Sequence, residues 1–420
     1  MAEYQGIVHT RSREIMSAWY DRLAVAAANN TPSAYLMISG NCVEILRSFD
    51  IEPAFPEVNA LQLAIRKQSL PLILKAEEMG YSSDNCAYVK ADAGYTFDEH
   101  GGPSEGKVPI PKLIVCNFVG CNVYIKWFEH CAAFLDVPLV MIDVPFLRTD
   151  DRPTAGDLKY VVSQLQRLIQ TCEKLTGKKF DIDKLREICA YSARAGRGWA
   201  RAKALCKNIP TPFDAYFDSI NMMGPINVLR GTKDAADFFD AAVKEYEELV
   251  AAKQGVIPNE KFRVVIEGPP PYPFYRQFRD LFSAWGAVAV QSTYSTVGGI
   301  WEWGFEHDPK HPLESIAELM LVQNLCNRSL LQRYAQIKRY VEEWKADALV
   351  IHSVKSCRLF SAGQGDMRDY FSNQLGVPTL LVESDLEDPR YYAQAMMKNR
   401  IDAFFESLEH RKLLRKADAK

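Results

Sequence analysis

Three cysteines sit where chemistry is possible: Cys86 in GYSSDNCAY, Cys121 in LIVCNFVGCN and Cys357 in LVIHSVKSC. Each lies in a polar loop next to an apolar run or a helix start. Thiolates gathered from such distant stretches suit an iron–sulfur cluster far better than a disulfide. Cys121 and Cys357 fall at expected helix starts, where the helix dipole and free N–H groups favour a thiolate. Cys357 also neighbours Lys355 and Arg358, and Cys86 follows the polar turn Ser82-Ser83-Asp84-Asn85. With only three such thiols, one iron of a cluster would lack a cysteine and could carry water, a sulfur bridge or substrate. Zinc is a rival, but the CxxC knuckle of structural zinc sites is missing. Any one of these cysteines alone reads more readily as a buried packing residue, and the three together as ligands.

The other cysteines divide by context. Cys42 and Cys116 share the strand-end loops, whereas Cys131, Cys172, Cys189, Cys206 and Cys326 lie in helical patterns and read as core. His352, just before Cys357, reads as a proton donor or as a hydrogen-bonded loop histidine. Glu267, Asp385 and Asp388 are further proton-donor candidates on placement alone. The segment YSTVGGIWEWGFEHD brings Tyr294, Trp301, Trp303 and Phe305 beside Gly298-Gly299. That flat apolar surface suits a pocket for a planar substrate, or a subunit interface. His307 and His311 have helical spacing, but Pro309 between them argues against a metal-binding helix. No GxxxxGK[ST], GxGxxG or GxSxG motif occurs, so nucleotide hydrolysis is not expected of this chain.

The loops need strands and helices to position them. Short apolar runs alternate with helical patterns, the signature of βαβ units and a mostly parallel sheet. Strands are expected at Ala34–Ile38, Lys112–Cys116 and Pro138–Ile142. Further strands are expected in FRVVIEG, AVAVQS, ADALVIHS and PTLLVES. Helices are expected over Glu57–Met79, Val123–Leu135, Leu319–Trp344 and Asp388–Leu408. From about Thr154 to Ala252 the pattern is wholly helical, with Asp181 and Asp183 as plausible caps. The expected organisation is α/β: an N-terminal α/β domain over 1–153 with Cys86 and Cys121, a helical insert or linker over 154–258, and a C-terminal α/β domain over 259–420 with Cys357. The two α/β halves could be copies of one unit. In such sheets ligands bind at the carboxyl ends of strands where the order reverses.

Composition excludes several classes. The chain has 420 residues, a net charge of -3 and 25% charged residues, a balance that does not suit nucleic acid or an anionic membrane. The N-terminal MAEYQGIVHTRSREIMSAWYDRL reads as an amphipathic helix, not a signal peptide. No window approaches ~18 uninterrupted apolar residues, so no membrane span is expected. A cytoplasmic setting follows as the expectation, and there the 10 cysteines should be thiols, not disulfides.

Taken together, GYSSDNCAY, LIVCNFVGCNVYIKWFE, PLVMIDVPF, HSVKSC and ESDLEDPR resemble the family of 2-hydroxyacyl-CoA dehydratases and ATP-dependent benzoyl-CoA reductases. The resemblance implies two Rossmann-like domains with helical additions, and a [4Fe-4S] cluster held by Cys86, Cys121 and Cys357. A larger cluster, shared with or bridged to a partner subunit, is the alternative. Cys116 stands where dehydratase subunits also carry cysteine. Ser39 falls near a dehydratase serine that holds water close to the open iron. ALVIHSVKSCRLFSAGQGDMRDYF and the Trp-rich loop are most similar to the reductase branch. The implied activity is that of an oxidoreductase reducing the ring of benzoyl-CoA to a cyclic diene. The implied partners are a homologous cluster-binding subunit, a separate ATP-hydrolysing iron–sulfur component, ferredoxin upstream, and an acyl-CoA substrate. The alternatives within the family are a 2-hydroxyacyl-CoA dehydratase and a double-cubane cluster reductase.

Overall fold

The structure, a computed structural model, describes residues 6–38, 40–97, 108–118, 121–147, 152–296, 299–322 and 327–418. Two four-stranded parallel sheets organise it. The first is built from β1 (Ser33–Leu36), β2 (Glu52–Ala54), β3 (Leu113–Phe118) and β4 (Leu139–Asp143), in the order β2-β1-β3-β4. The second is built from β5 (Phe262–Glu267), β6 (Ala287–Ser292), β7 (Ala348–Val354) and β8 (Thr379–Ser384), in the order β6-β5-β7-β8. The order is the same in both halves, second–first–third–fourth, as in two Rossmann-like units. In each sheet the direction of winding reverses between the first and third strands, which opens a crevice at their carboxyl ends. β3 ends at Phe118 and β7 at Val354, so Cys121 and Cys357 each stand three residues beyond the third strand of their sheet.

Helices cover both faces, so the central strands are apolar without alternation. Every residue of β5 and β7 is buried. The turn after β5 demands glycine. Gly268 has φ +100°, and a Cβ there would meet the His352 carbonyl oxygen at 2.4 Å.

Two long helices expected from the sequence are broken. Glu57–Met79 divides into Pro56–Ile65 and Ser69–Glu78, with Lys67 at φ 59° between them. Pro71 is the cause: it has no N–H to continue a ladder and is tolerated only in a first turn. Leu319–Trp344 spans the end of one helix, Pro312–Val322, and the whole of another, Leu330–Glu343. Ser329 starts the latter with a capping box to Gln332, a signal visible in the sequence as S-x-x-Q. The last helix begins at Gln394, after a short 3₁₀ turn at Pro389–Tyr391.

The helices between 154 and 258 are capped as their sequence suggests. Thr154 and Asp157 form a capping box, and the Asp181 carboxylate accepts from the N–H groups of Asp183 and Lys184. They belong to both cores. Val161, Leu165 and Leu168 join the core of the first sheet, while Trp199, Phe238 and Phe239 join that of the second. No helix among the described residues is long and apolar enough to cross a membrane.

Candidate functional site

Cys86, Cys121 and Cys357 face one cavity of about 590 Å³. Each immediately precedes a helix: Ala87–Phe97, Asn122–Leu135 and the short turn Arg358–Ser361. Burial raises all three thiol pKa values, that of Cys357 to about 11. The thiols also act on one another, since a negative charge on Cys357 or Cys121 raises Cys86 further. Backbone N–H groups oppose this. Those of Val89 and Tyr88 aim at Cys86, those of Val123 and Tyr124 at Cys121, and those of Phe360 and Leu359 at Cys357. Arg333 adds a positive charge near Cys357. The site therefore stores three protonated soft donors, each with N–H groups ready to stabilise its ionised form.

Hydrogen bonds between the two α/β units hold these loops together. The Ala87 N–H, next to Cys86, donates to Ser356 Oγ, next to Cys357, at 3.2 Å. The Ser356 N–H in turn donates to Asp385 at 2.8 Å. Behind them Lys90 pairs with Glu77 at 2.9 Å, and Arg390 bridges Glu77 and Asp388 at 2.6 Å each. Ser69 Oγ donates to the Glu387 carbonyl at 3.1 Å.

Glu57, on the first turn of the helix Pro56–Ile65, is the acid at the cysteine end of the cavity. Its carboxylate accepts from the Ile38 N–H at 2.7 Å and from the Tyr124 hydroxyl. Burial outweighs both bonds and raises its pKa. Tyr294, which Glu57 acts on electrostatically, belongs to a cluster of three tyrosines: Tyr272 donates to the Tyr294 hydroxyl at 2.8 Å, and the Tyr88 hydroxyl lies 3.5 Å from Tyr294. Burial pushes Tyr294 up to about 12. Tyr88 and Tyr294 line the cavity, with Trp127, Phe360 and Leu386 among its apolar walls; Arg13, Arg66, Arg276 and Arg279 also line it.

Comparison with known proteins shows the family. The family described as 2-hydroxyglutaryl-CoA dehydratase, D-component, matches residues 39–408. The chain belongs to that family. It is 36% identical over 410 residues to a benzoyl-CoA reductase subunit of Thauera aromatica, covering 96% of this chain and 94% of that protein. The (R)-2-hydroxyisocaproyl-CoA dehydratase alpha subunit of Clostridioides difficile is 30% identical over 378 residues, 89% of this chain and 90% of that one. The (R)-phenyllactyl-CoA dehydratase alpha subunit of Clostridium sporogenes is 29% identical over 372 residues, 88% of each chain.

For this dehydratase-family chain the remaining sequence candidates scatter. Tyr294 faces the cavity, but Trp301 and Trp303 do not line it. Trp301 packs in the second core, its ring centroid 6.1 Å from that of Trp199. Trp303 lies beneath the guanidinium groups of Arg328, at 4.7 Å, and Arg339, at 5.8 Å. His352 is not in a loop: β7 runs two residues past it and buries it completely. Its Nδ1–H donates to the Pro269 carbonyl, which leaves Nε2 to accept from Ser384 Oγ at 2.6 Å. Burial holds this imidazole neutral, at about 4. Glu267 is paired with Arg333 and Thr293, and Asp385 and Asp388 serve the ties between the units. Cys116 lies inside β3, its Sγ 3.9 Å from Met37 Sδ, and Cys42 is core. Ser39 and Cys326 fall outside the described residues. Glu57 carried no motif, and only its helical phase after Pro56 turns it towards Cys121.

Proposed function

We propose that this chain is a cluster-binding subunit of an ATP-dependent benzoyl-CoA reductase, in which Cys86, Cys121 and Cys357 hold a [4Fe-4S] cluster. The observation that carries the reading is the meeting of these three thiols on one cavity wall. Among the described residues no three His, Cys, Asp or Glu side chains converge as a single metal ion requires. A cluster sets a different requirement, because its cysteine ligands would not have to converge on a single ion. Cys86, Cys121 and Cys357 would hold such a group as thiolates, and its positive charge would offset the repulsion that raises their pKa values. The N–H groups aimed at each sulfur are the donors that tune such a centre. When bound, the cluster would supply single electrons at low potential to a thioester-activated ring.

The chain's own residues prepare the rest. The walls formed by Trp127, Phe360 and Leu386 exclude water from the acyl end, which limits stray protonation. Glu57 holds a proton at its carboxyl because burial raises its pKa, and Tyr124 orients it. Tyr294 offers a neutral hydroxyl and a flat face to a planar acyl group. Similarity over nearly the whole chain to the benzoyl-CoA reductase subunit from Thauera favours reduction over dehydration. A homologous second subunit, an ATP-hydrolysing iron–sulfur component and ferredoxin would complete the system, since the relatives are subunits of larger enzymes.

The family's dehydratases support a second reading, removal of water from a 2-hydroxyacyl-CoA. Anaerobic turnover of the complex decides between them: a reductase consumes electrons in proportion to product, and a dehydratase needs only a priming dose. For the cluster, Cys86→Ser, Cys121→Ser and Cys357→Ser should each lose iron and activity, while Cys172→Ser and Cys189→Ser, in buried helix positions, keep both. Equal iron in all five variants would refute the ligand assignment.

A further inference from the structure

We propose that Arg13, Arg66, Arg276 and Arg279 form an anion-binding collar for the diphosphate and 3′-phosphate of a coenzyme A thioester whose acyl end lies beside the three cysteines. This rests on the acyl-CoA reading above. All four arginines line the same cavity as the cysteines, and three separate elements supply them. Arg13 comes from the helix Ile7–Asn29, Arg66 caps the end of Pro56–Ile65, and Arg276 and Arg279 lie on Tyr275–Ser283.

The helix Pro56–Ile65 spans the cavity from one end to the other. Glu57 stands at its cysteine end and Arg66 at its far end. At 1.5 Å of rise per residue, nine steps separate them by about 14 Å. Between them Val58, Leu61, Gln62 and Ile65 present a mostly apolar wall with one amide. Such a channel fits an extended pantetheine arm, with a charged group left at the outer end.

The charge distribution fits too. The acids on the cavity wall are Glu57, at the inner end, and Asp218, which accepts the Asp214 N–H at 2.8 Å. Among the described residues neither Arg13 nor Arg276 has an acidic partner, and both are exposed. Arg66 and Arg279 are half-buried. Asp280, 68% exposed, lies 3.7 Å from Arg279. Guanidinium groups bind phosphate oxygens in pairs and are weakly hydrated, which makes arginine the apt residue for this end.

The test is calorimetric titration of the anaerobically purified complex with CoA, 3′-dephospho-CoA, pantetheine and inorganic phosphate. Arg13→Ala and Arg276→Ala should each weaken CoA binding about tenfold, less so at high salt, and leave pantetheine binding and iron content unchanged. Arg186→Ala, on an exposed helix face and paired with Asp183, should change nothing. Loss of the 3′-phosphate should weaken wild-type binding more than it weakens at least one of the two variants. If wild type binds CoA and both variants bind it equally well, the collar is wrong and the acyl-CoA reading stands. Inorganic phosphate bound as tightly as CoA, or pantetheine binding lost along with CoA, also overturns the collar. If wild type binds neither CoA nor benzoyl-CoA, the function proposed above fails as well.

Discussion

Replacing Tyr124 by Phe tests the proton assignment through its energetics. Glu57 accepts from the Ile38 N–H at 2.7 Å and from the Tyr124 hydroxyl, and burial still holds its pKa above the usual 4.5. A hydrogen bond to an ionised group contributes about 1.5 kcal/mol, which corresponds to about one pH unit. Removing the hydroxyl disfavours the carboxylate, so the pKa of Glu57 should rise by about that much. If Glu57 delivers a proton during turnover, activity falls as pH rises through its pKa. Tyr124→Phe should therefore move the alkaline limb of the pH–rate profile up by about one unit. Glu57→Gln has no acidic proton and should slow turnover by about 10²–10⁴-fold with iron content intact. Its folding cost is about 1 kcal/mol, because the amide oxygen still accepts from Ile38. Stability follows the same sign. The folded state holds the proton more tightly than the unfolded chain, so wild type loses stability as pH rises from about 4.5, and Glu57→Gln does not. Rates of acyl-CoA conversion across the neutral to alkaline range provide the assay. An alkaline limb that stays put in Tyr124→Phe, or a Gln variant with wild-type turnover, would refute the role of Glu57.

Three further substitutions probe the frame around the site. Arg230→Met strands the buried Glu44 carboxylate, which Arg230 contacts at 2.6 Å and which lies near 2 because Arg230 and His307 overcome the burial penalty. Thermal or denaturant unfolding should show a loss of about 3–5 kcal/mol, largely recovered in Glu44→Gln/Arg230→Met. Wild type draws stability from Glu44 above about 4.5 and loses it as pH falls towards 2, and the double variant should lack this dependence. Trp301→Ala should cost about 3–5 kcal/mol through the cavity left against Trp199 while CoA affinity of the folded protein is unchanged; weakened CoA binding with normal stability would return Trp301 to the substrate pocket. Glu387→Gln should stabilise the protein increasingly from acid to alkaline pH. Burial, then Asp385, Asp92 and Asp388, raises this carboxyl well above 4.5, so the wild-type fold loses stability as pH rises from that value, and thermal midpoints against pH would read the difference.

The sequence announced the parts of the site that local rules control. Apolar runs marked the strands, and the loops after them marked Cys121 and Cys357, because a βαβ unit must place its turns at the carboxyl edge. The resemblance tied Cys86 to them. What escaped were properties of tertiary packing. His352 looks like a loop residue until the register of β7 with β8 pairs it with Val382 and closes both ring nitrogens. Trp301 looks like a binding surface until Trp199, far earlier in the chain, takes its face. Glu57 looks like an ordinary helix acid, and only the approach of Tyr124 and Ile38 makes it a buried one. The two helix breaks, by contrast, have local signals: Pro71, which a helix can hold only in its first turn, and the Ser329–Gln332 box.

The matching strand orders explain why three cysteines, and not four, meet here. Cys121 and Cys357 occupy the same topological position, three residues past the third strand of each sheet. A strand order repeated in both sheets supplies such a pair of positions. Cys86 sits at the start of the helix that precedes β3. The corresponding helix before β7 is Leu330–Glu343, and the residue at its start is Ser329. That hydroxyl is committed to its own helix, accepting the Gln332 N–H at 3.3 Å. One turn further on, Arg333 sets its guanidinium 4.7 Å from the centre of the Phe360 ring and acts electrostatically on Cys357. Where symmetry would offer a fourth sulfur, the chain has a capping hydroxyl and a buried cation. The asymmetry of two otherwise parallel units is what leaves this cavity with three cysteines instead of four.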